Sequence, residues 1–229
     1  MKFTRSRMIQ ILLLLAGIAF SASAENIFSE YMLSIINFIG IFIILAVSLN
    51  LTNGFTGLFS LGHPGFMAIG GYVTAILTFP VSKKAMFLEI PQWLAGMEMP
   101  FLPALLIGGA CSSLTAILVG IPVLRLRGHY LAVATMGFLI IVQVLIINME
   151  SITRGPLGLN GLQPLTHIGW VFAWVVLTVY TSWKIKFSSY GRSMIAVRED
   201  ELAAECLGIG LFRTRISAFA LGAFFAGIA

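Results

Sequence analysis

Residues 31–82 read YMLSIINFIGIFIILAVSLNLTNGFTGLFSLGHPGFMAIGGYVTAILTFPVS and contain no Lys, Arg, Asp or Glu. A helix needs about 20 apolar residues to cross the hydrocarbon core of a bilayer, so this interval predicts two spans rather than one. Turn-forming residues at 52–62 mark the predicted division between them.

The whole chain has the composition of a membrane protein. Of its 229 residues, 59% are hydrophobic and 10% are charged, and the mean hydropathy is +0.98. A soluble domain needs far more polar surface. The net charge of +5 does not indicate nucleic-acid binding, because the basic residues cluster at the ends of apolar runs, as a bilayer distributes them. We expect an all-α, polytopic integral membrane helical bundle, with residues 1–229 forming a single transmembrane domain.

The sequence carries no signature of a catalytic, metal or nucleotide site. Cys111 lies in an apolar run and Cys206 in a charged one, and these two cysteines imply no disulfide framework. No His/Cys cluster has metal-ligand spacing. There is no G-x-x-x-x-G-K-[ST] loop, which excludes ATP hydrolysis by that route. We therefore expect no catalytic residue, no metal ligand and no cofactor bound by this chain.

The charge-free intervals predict about six complete spans and part of a seventh. The predicted helices are 8–24, 31–51, 63–80, 101–121, 129–148 and 166–183, and the seventh begins at Ile216. If the N-terminus is cytoplasmic, eleven of the 14 basic residues fall inside and only Lys83, Lys84 and Arg154 fall outside. This asymmetry is the positive-inside pattern and predicts the orientation of the chain.

The two ends of the chain raise separate questions. Lys2, Arg5 and Arg7, an apolar core and then Ala22-Ser23-Ala24 also fit a cleavable signal peptide, but we expect an uncleaved first helix. At the other end, the 14 apolar residues Ile216–Ala229 would reach about 21 Å as a helix, short of the roughly 30 Å core. We expect the chain to be the N-terminal portion of a longer protein.

The glycine-rich segment, Leu49–Tyr72, holds six glycines and no formal charge. Non-helical backbone at membrane depth is tolerated only when it is buried in protein or lines a watery cavity; the alternative is that these glycines allow tight helix packing. Pro64 suits the first turn of a helix. We interpret His63 as a capping or packing residue rather than a proton carrier. The candidate translocation-path residues are Asn50, Asn53, Gly54, Gly57 and His63.

The charged loop, Lys184–Arg215, holds six basic and four acidic residues between apolar runs. Within it, Ser193–Leu207 predicts one short helix that Gly208 ends. Its acids make it a poor ligand for anionic lipid, so we predict a protein partner. The face offered to that partner is predicted to combine Met194, Leu202 and Cys206 with the acidic Glu201 and Glu205.

Three stretches together resemble a known family. They are LNLTNGFTGLFSLGHPGFMAIGGY (49–72), LRLRGHYLAVATMGF (124–138) and GRSMIAVREDELAAECLGIGLFRTRISAF (191–219). From about Asn50 to Ala229 the chain resembles the LivM-like permease subunits of branched-chain amino acid ABC importers. The resemblance implies a bacterial inner-membrane, multi-pass permease that is not an enzyme.

The resemblance also implies partners: a second homologous permease, two ABC ATPase subunits that use ATP, and a periplasmic solute-binding protein. In such importers a cytoplasmic loop of the Glu-Ala-Ala…Gly type docks into the ATPase. The order Ala203-Ala204-Glu205 with Gly208 matches that pattern loosely. The implied coupling residues are Arg198, Glu199, Asp200, Glu201, Leu202, Ala203, Ala204, Glu205 and Gly208.

Alternatives remain for the function. The expected solute is a branched-chain or hydrophobic amino acid, but the family also includes permeases for urea, amides and other amino acids. A stand-alone secondary transporter is a rival; it would usually place an acid or an arginine inside its spans, and the predicted spans before the charged loop contain none. A scaffold subunit with no path of its own is the third reading.

Overall fold

A computed structural model describes residues 28–81, 84, 96, 98–126, 128–162 and 164–229, and these residues form helices and connections with no strand. This confirms the predicted all-α fold class. The predicted first span, 8–24, lies outside the described residues. The helices are α1 (Glu30–Leu49), which continues as a π-helical segment (Asn50–Gly54), α2 (His63–Thr78), α3 (Phe101–Val123), α4 (His129–Asn148), α5 (Glu150–Thr153), α6 (Ile168–Phe187), α7 (Ser189–Glu199), α8 (Glu201–Cys206) and α9 (Leu211–Ile228).

Five of these helices are long and apolar enough to cross a membrane: α1 with its π-helical segment, α3, α4, α6 and α9. The first four coincide with predicted spans to within a few residues, whereas α9 begins earlier than predicted. The helix at the predicted span 63–80 is α2, whose 16 residues reach only about 24 Å.

The prediction for α9 was wrong at its start. The helix begins at Leu211 rather than Ile216, so Arg213 and Arg215 lie in its first turns. The apolar run was taken to begin after the last charge, but charge does not end a helix there. A long basic side chain can bury its stem and still reach water.

The most enclosed of the five spans is α9. In its most apolar stretch 56% of the residues are buried, against 17% for the span formed by α1. It packs on α3, α2 and α1. Small residues make this possible: a Cβ added to Gly70 would lie within 2.6 Å of three backbone atoms of Gly227. Ser112 of α3 donates a hydrogen bond from its hydroxyl to the carbonyl of Phe66 in α2, at 2.8 Å. This bond joins two of the helices on which α9 packs. Small residues allow membrane helices to approach this closely.

The other spans surround this centre. Helix α1 packs against α6, and α4 packs against α2. Phe66 of α2 meets Phe138 of α4 and Phe219 of α9, with ring centroids 4.9 and 5.2 Å apart. Apolar side chains such as Phe42 and Ile141 cover the outer faces of α1 and α4, as expected where the neighbour is lipid.

Three connections lie together at one end of the bundle, which we term the loop-bearing end. They are residues 57–62, residues 124–126 with Gly128, and the charged loop. The backbone N–H of Leu61 donates to Thr135 Oγ1 at 3.0 Å, and a cavity of about 320 Å³ has walls from all three connections. This agrees with the predicted order of spans, which places the same three connections on one side.

Candidate functional site

The glycine-rich segment begins where α1 changes its winding. The chain widens into the π-helical segment at Asn50 and stays helical to Thr56. Gly57 then adopts a φ of +70° and ends the helix. This left-handed backbone favours glycine, which has no Cβ to clash. π-Helical turns are uncommon and occur frequently at functional sites.

Residues 57–62, between α1 and α2, are held by hydrogen bonds inside the protein. The Asn53 side chain accepts from the backbone N–H of Ser60 at 3.3 Å and donates to its carbonyl at 3.5 Å. The backbone N–H of Gly62 donates to Ser60 Oγ at 3.3 Å. Ser60 is 2% exposed. The non-helical backbone is therefore hydrogen-bonded within the protein around the buried Ser60, while Phe59 and Leu61 of the same segment are exposed.

His63 joins the ends of two helices. It starts α2 with Pro64 in the first turn, as predicted. Its Nε2 lies 2.8 Å from the hydroxyl of Ser48 in α1, and a Cβ added to Gly222 of α9 would lie 3.5 Å from its Cε1. These contacts agree with the packing interpretation of His63.

The five candidate path residues therefore have different surroundings. Asn53 and His63 form hydrogen bonds inside the protein, Gly54 and Gly57 meet the charged loop, and Asn50 is exposed. A role in translocation stays a prediction for all five.

The charged loop contains two helices, so the prediction of one helix over Ser193–Leu207 was wrong. The chain is extended at Asp200, with φ −153° and ψ 113°. The Asp200 carboxylate accepts from the backbone N–H groups of Leu202 and Ala203 at 2.9 and 3.1 Å. Aspartate is a strongly preferred N-cap residue, and Asp200 in the sequence was the signal for a new helix start.

The predicted apolar face of the charged loop was also wrong. Met194 of α7 is fully buried, in a cluster with Leu51 and Phe55 of the α1 region. Leu202 is 76% exposed and Leu207 is 80% exposed, and Cys206 is exposed. Because the bend at Asp200 separates α7 from α8, Met194 is buried while Leu202 and Cys206 are exposed.

Helix α8 is short but fixed at both ends. Asp200 caps its start, and Gly208 follows its end with a φ of +80°, as predicted for the stop. The backbone N–H of Ile209 donates to the carbonyl of Ala204 at 3.1 Å, and Ala204 is buried. This is the helix-ending pattern of a left-handed glycine. Leu202 and Leu207 therefore project from a backbone that is held in place.

Arg198 connects the charged loop to the glycine-rich segment. Its Nη1 donates to the carbonyl of Gly54 at 2.7 Å, while its Nε donates to Glu199 at 3.1 Å. A Cβ added to Gly57 would lie 2.8 Å from Arg198 Cγ. The partners are 144 residues apart in the chain, so no local sequence pattern could have predicted this contact.

A second connection runs from α8 to α9. Glu201 forms an ion pair with Arg215, whose side chain is mostly buried. The Arg215 Nε atom is buried without a hydrogen-bond partner among the described residues. Glu201 was predicted to face a partner, but its carboxylate is bound to Arg215. Glu205 is exposed, so of these two acids it is the one that extends to the surface.

Among the described residues, no group of His, Cys, Asp or Glu is arranged to hold a metal ion. Cys111 and Cys206 are both free thiols. The fold and the site define a multi-pass helical membrane protein with a structured, charged loop at one end.

Comparison with known proteins gives the family. The model of the family described as branched-chain amino acid transport system / permease component matches residues 31–229. The chain belongs to this family, which confirms the resemblance seen in the sequence. The family consists of transport permeases and is not a known enzyme family.

Individual relatives agree with the family match. The chain is 32% identical over 223 residues to the high-affinity branched-chain amino acid transport system permease proteins LivM of Salmonella typhimurium strain LT2 and of Escherichia coli strain K12. Each alignment covers 82% of this chain and 49% of the relative. A probable LivM of Methanocaldococcus jannaschii is 24% identical over 83% of this chain and 63% of its own length. The chain thus spans about half the length of the first two relatives. No solved structure matches the chain.

Proposed function

We propose that this chain forms the membrane path of an ATP-driven ABC importer for branched-chain or other hydrophobic amino acids. Family membership supports the transport role. ATP would be hydrolysed by two separate ABC ATPase subunits, and this chain would bind no cofactor. The other partners would be a second homologous permease and a periplasmic solute-binding protein, in a bacterial inner membrane with the loop-bearing end facing the cytoplasm.

The observation that carries the proposal is the geometry of α8. Leu202 and Leu207 are largely exposed on a helix whose ends are fixed by Asp200 and Gly208. Buried apolar anchors contribute most of the binding energy at protein interfaces. A fixed pair of exposed leucines beside the acidic Glu205 fits a groove with an apolar floor and a basic rim. We expect an ATPase subunit to supply that groove.

The test is co-purification of the ATPase subunits with variants of the full chain. Leu202→Asp places a charge at the proposed anchor and should abolish co-purification. The change should leave the amount of chain in the membrane unaltered, because the exposed side chain makes few contacts of its own.

Two matched variants make the test specific. Leu157→Asp alters a leucine that is 70% exposed at the opposite, predicted outer side, and should leave ATPase association intact. Glu205→Gln removes a rim charge and should weaken association only modestly, because exposed charges contribute about 0–1 kcal/mol. ATPase association and uptake that survive Leu202→Asp would reject α8 as the docking element. Uptake of leucine against urea and amides by the unaltered complex would test the solute class.

A further inference from the structure

The most informative contact outside the proposed docking surface is the hydrogen bond from Arg198 to Gly54. We propose that Arg198 is a positioning residue that transmits the position of the charged loop to the C-terminal end of α1. It does so by donating a hydrogen bond to Gly54, the last residue of the π-helical segment. This inference rests on the proposed function, since it assigns a route for the signal that α8 would receive. It assigns Arg198 to contact within the chain rather than to the ATPase surface.

The first argument is the hydrogen-bonding demand of Gly54. The last four carbonyls of a helix have no partner within that helix. Gly54 lies among them, because the helix ends at Thr56 and Gly57 turns away with a φ of +70°. Arg198 supplies the missing donor at 2.7 Å. The bond is charge-assisted, and its positive charge lies at the negative end of the helix dipole.

The second argument is the shape of the contact. Gly57 leaves room for the Arg198 stem, since a Cβ there would lie 2.8 Å from Arg198 Cγ and 3.5 Å from its Cβ. Gly54 therefore provides the carbonyl, and Gly57 provides the space for the Arg198 side chain. Glu199 accepts from the Arg198 Nε at 3.1 Å and so orients the guanidinium. A lysine could keep the charge but could not contact both groups with a planar fork.

The third argument concerns what moves with this contact. The glycine-rich segment continues from Gly54 through the Asn53–Ser60 hydrogen bonds to His63, which contacts Ser48 of α1. A shift at Gly54 is therefore passed to the start of α2. Beside the contact, the cavity of about 320 Å³ between residues 57–59, Leu126, Gly128, Glu201 and Arg215 gives the charged loop space to move.

The contact itself is tested on the full chain in detergent, without any partner. Hydrogen exchange of the amides at 54–62 should become about tenfold faster or more in Arg198→Ala. The reason is that the hydrogen bond from Arg198 to Gly54 limits local opening of this connection. Arg213→Ala removes a charge from the same loop at an exposed position, and exchange at 54–62 should not change. Equal exchange in the two variants would overturn the contact.

The coupling role is tested in proteoliposomes that hold the chain with its ATPases, second permease and binding protein. In Arg198→Ala, ATPase association should stay within twofold of the unaltered chain, while solute transported per ATP hydrolysed falls about tenfold or more. Arg198→Lys should restore part of that ratio, and Arg213→Ala should leave it unchanged.

Each remaining outcome overturns the inference. Loss of ATPase association in Arg198→Ala would make Arg198 a docking residue, and an unchanged ratio would show that the contact carries no signal. If the unaltered chain recruits no ATPase, the proposed function fails and the coupling role fails with it. The exchange measurement then still reports whether Arg198 caps Gly54.

Discussion

Adjacent glycines in α2 provide a sharp test of how α9 packs. A Cβ added to Gly70 would lie within 2.6 Å of the O, Cα and C atoms of Gly227, whereas a Cβ added to Gly71 meets nothing within 4 Å. Both residues lie inside α2. The substitutions Gly70→Ala and Gly71→Ala therefore make the same chemical change one residue apart, with different consequences for the α2–α9 contact.

The expected magnitudes follow from the geometry. Alanine is about 0.8–1 kcal/mol more favourable than glycine inside a helix, so Gly71→Ala should be neutral to stabilising. Gly70→Ala has the same gain but presses on backbone, and carbon atoms prefer separations of about 3.5–4.0 Å. The helices must therefore separate by roughly 1 Å, and overpacking of this kind costs about 1–3 kcal/mol or more. The helix-propensity gain is common to both variants and cancels, so we expect Gly70→Ala to be less stable than Gly71→Ala by about 1–3 kcal/mol.

The assay is unfolding of the full chain from mixed detergent micelles by a denaturing detergent, followed by tryptophan fluorescence. The comparison of neighbours cancels changes in expression and micelle composition. Gly108→Ala tests the neighbouring α2–α3 contact in the same way, because its Cβ would lie 2.7 Å from the carbonyl oxygen of Gly70, and it should destabilise the chain as well. Equal stability of the Gly70 and Gly71 variants would refute the close α2–α9 approach.

Two further predictions concern the loop-bearing end. In a variant without native cysteines, Leu202→Cys should react with an impermeant thiol reagent only from the cytoplasm, and Leu157→Cys only from outside. Both positions are at least 70% exposed. Labelling of residue 202 from outside would show that the predicted orientation is reversed. Gly208→Val forces a β-branched residue to a φ of +80°, at a cost of about 1–2 kcal/mol, and should reduce ATPase co-purification. Gly210→Val, at a φ of −73°, is the matched control, and an equal loss in both would show that the left-handed stop after α8 is unimportant.

Much of the fold follows from local sequence. The predicted spans 101–121 and 129–148 agree with α3 (Phe101–Val123) and α4 (His129–Asn148) almost to the residue. In hydrocarbon every backbone polar group needs an internal partner, so an apolar run of sufficient length has to be helical. The stop at Gly208 followed from sequence for a related reason, since left-handed backbone selects glycine within a single residue.

The site depended on information that is not local. Hydropathy cannot separate a lipid-facing side chain from a protein-facing one, because both surroundings are apolar; α9 is more buried than α1 although its hydropathy is lower. Helical periodicity assigned Met194 and Leu202 to one face, but the Asp200 cap breaks that periodicity, burying Met194 and exposing Leu202.

The sequence by itself determined the helical class, most span positions and the family. Only the tertiary structure decided that Gly70 lies on Gly227 and that Arg198 reaches Gly54. The physical reason is the sequence separation over which each interaction acts. Spans, caps and turns are set by interactions within a few residues, whereas a contact between partners 144 residues apart exists only once the intervening helices have packed.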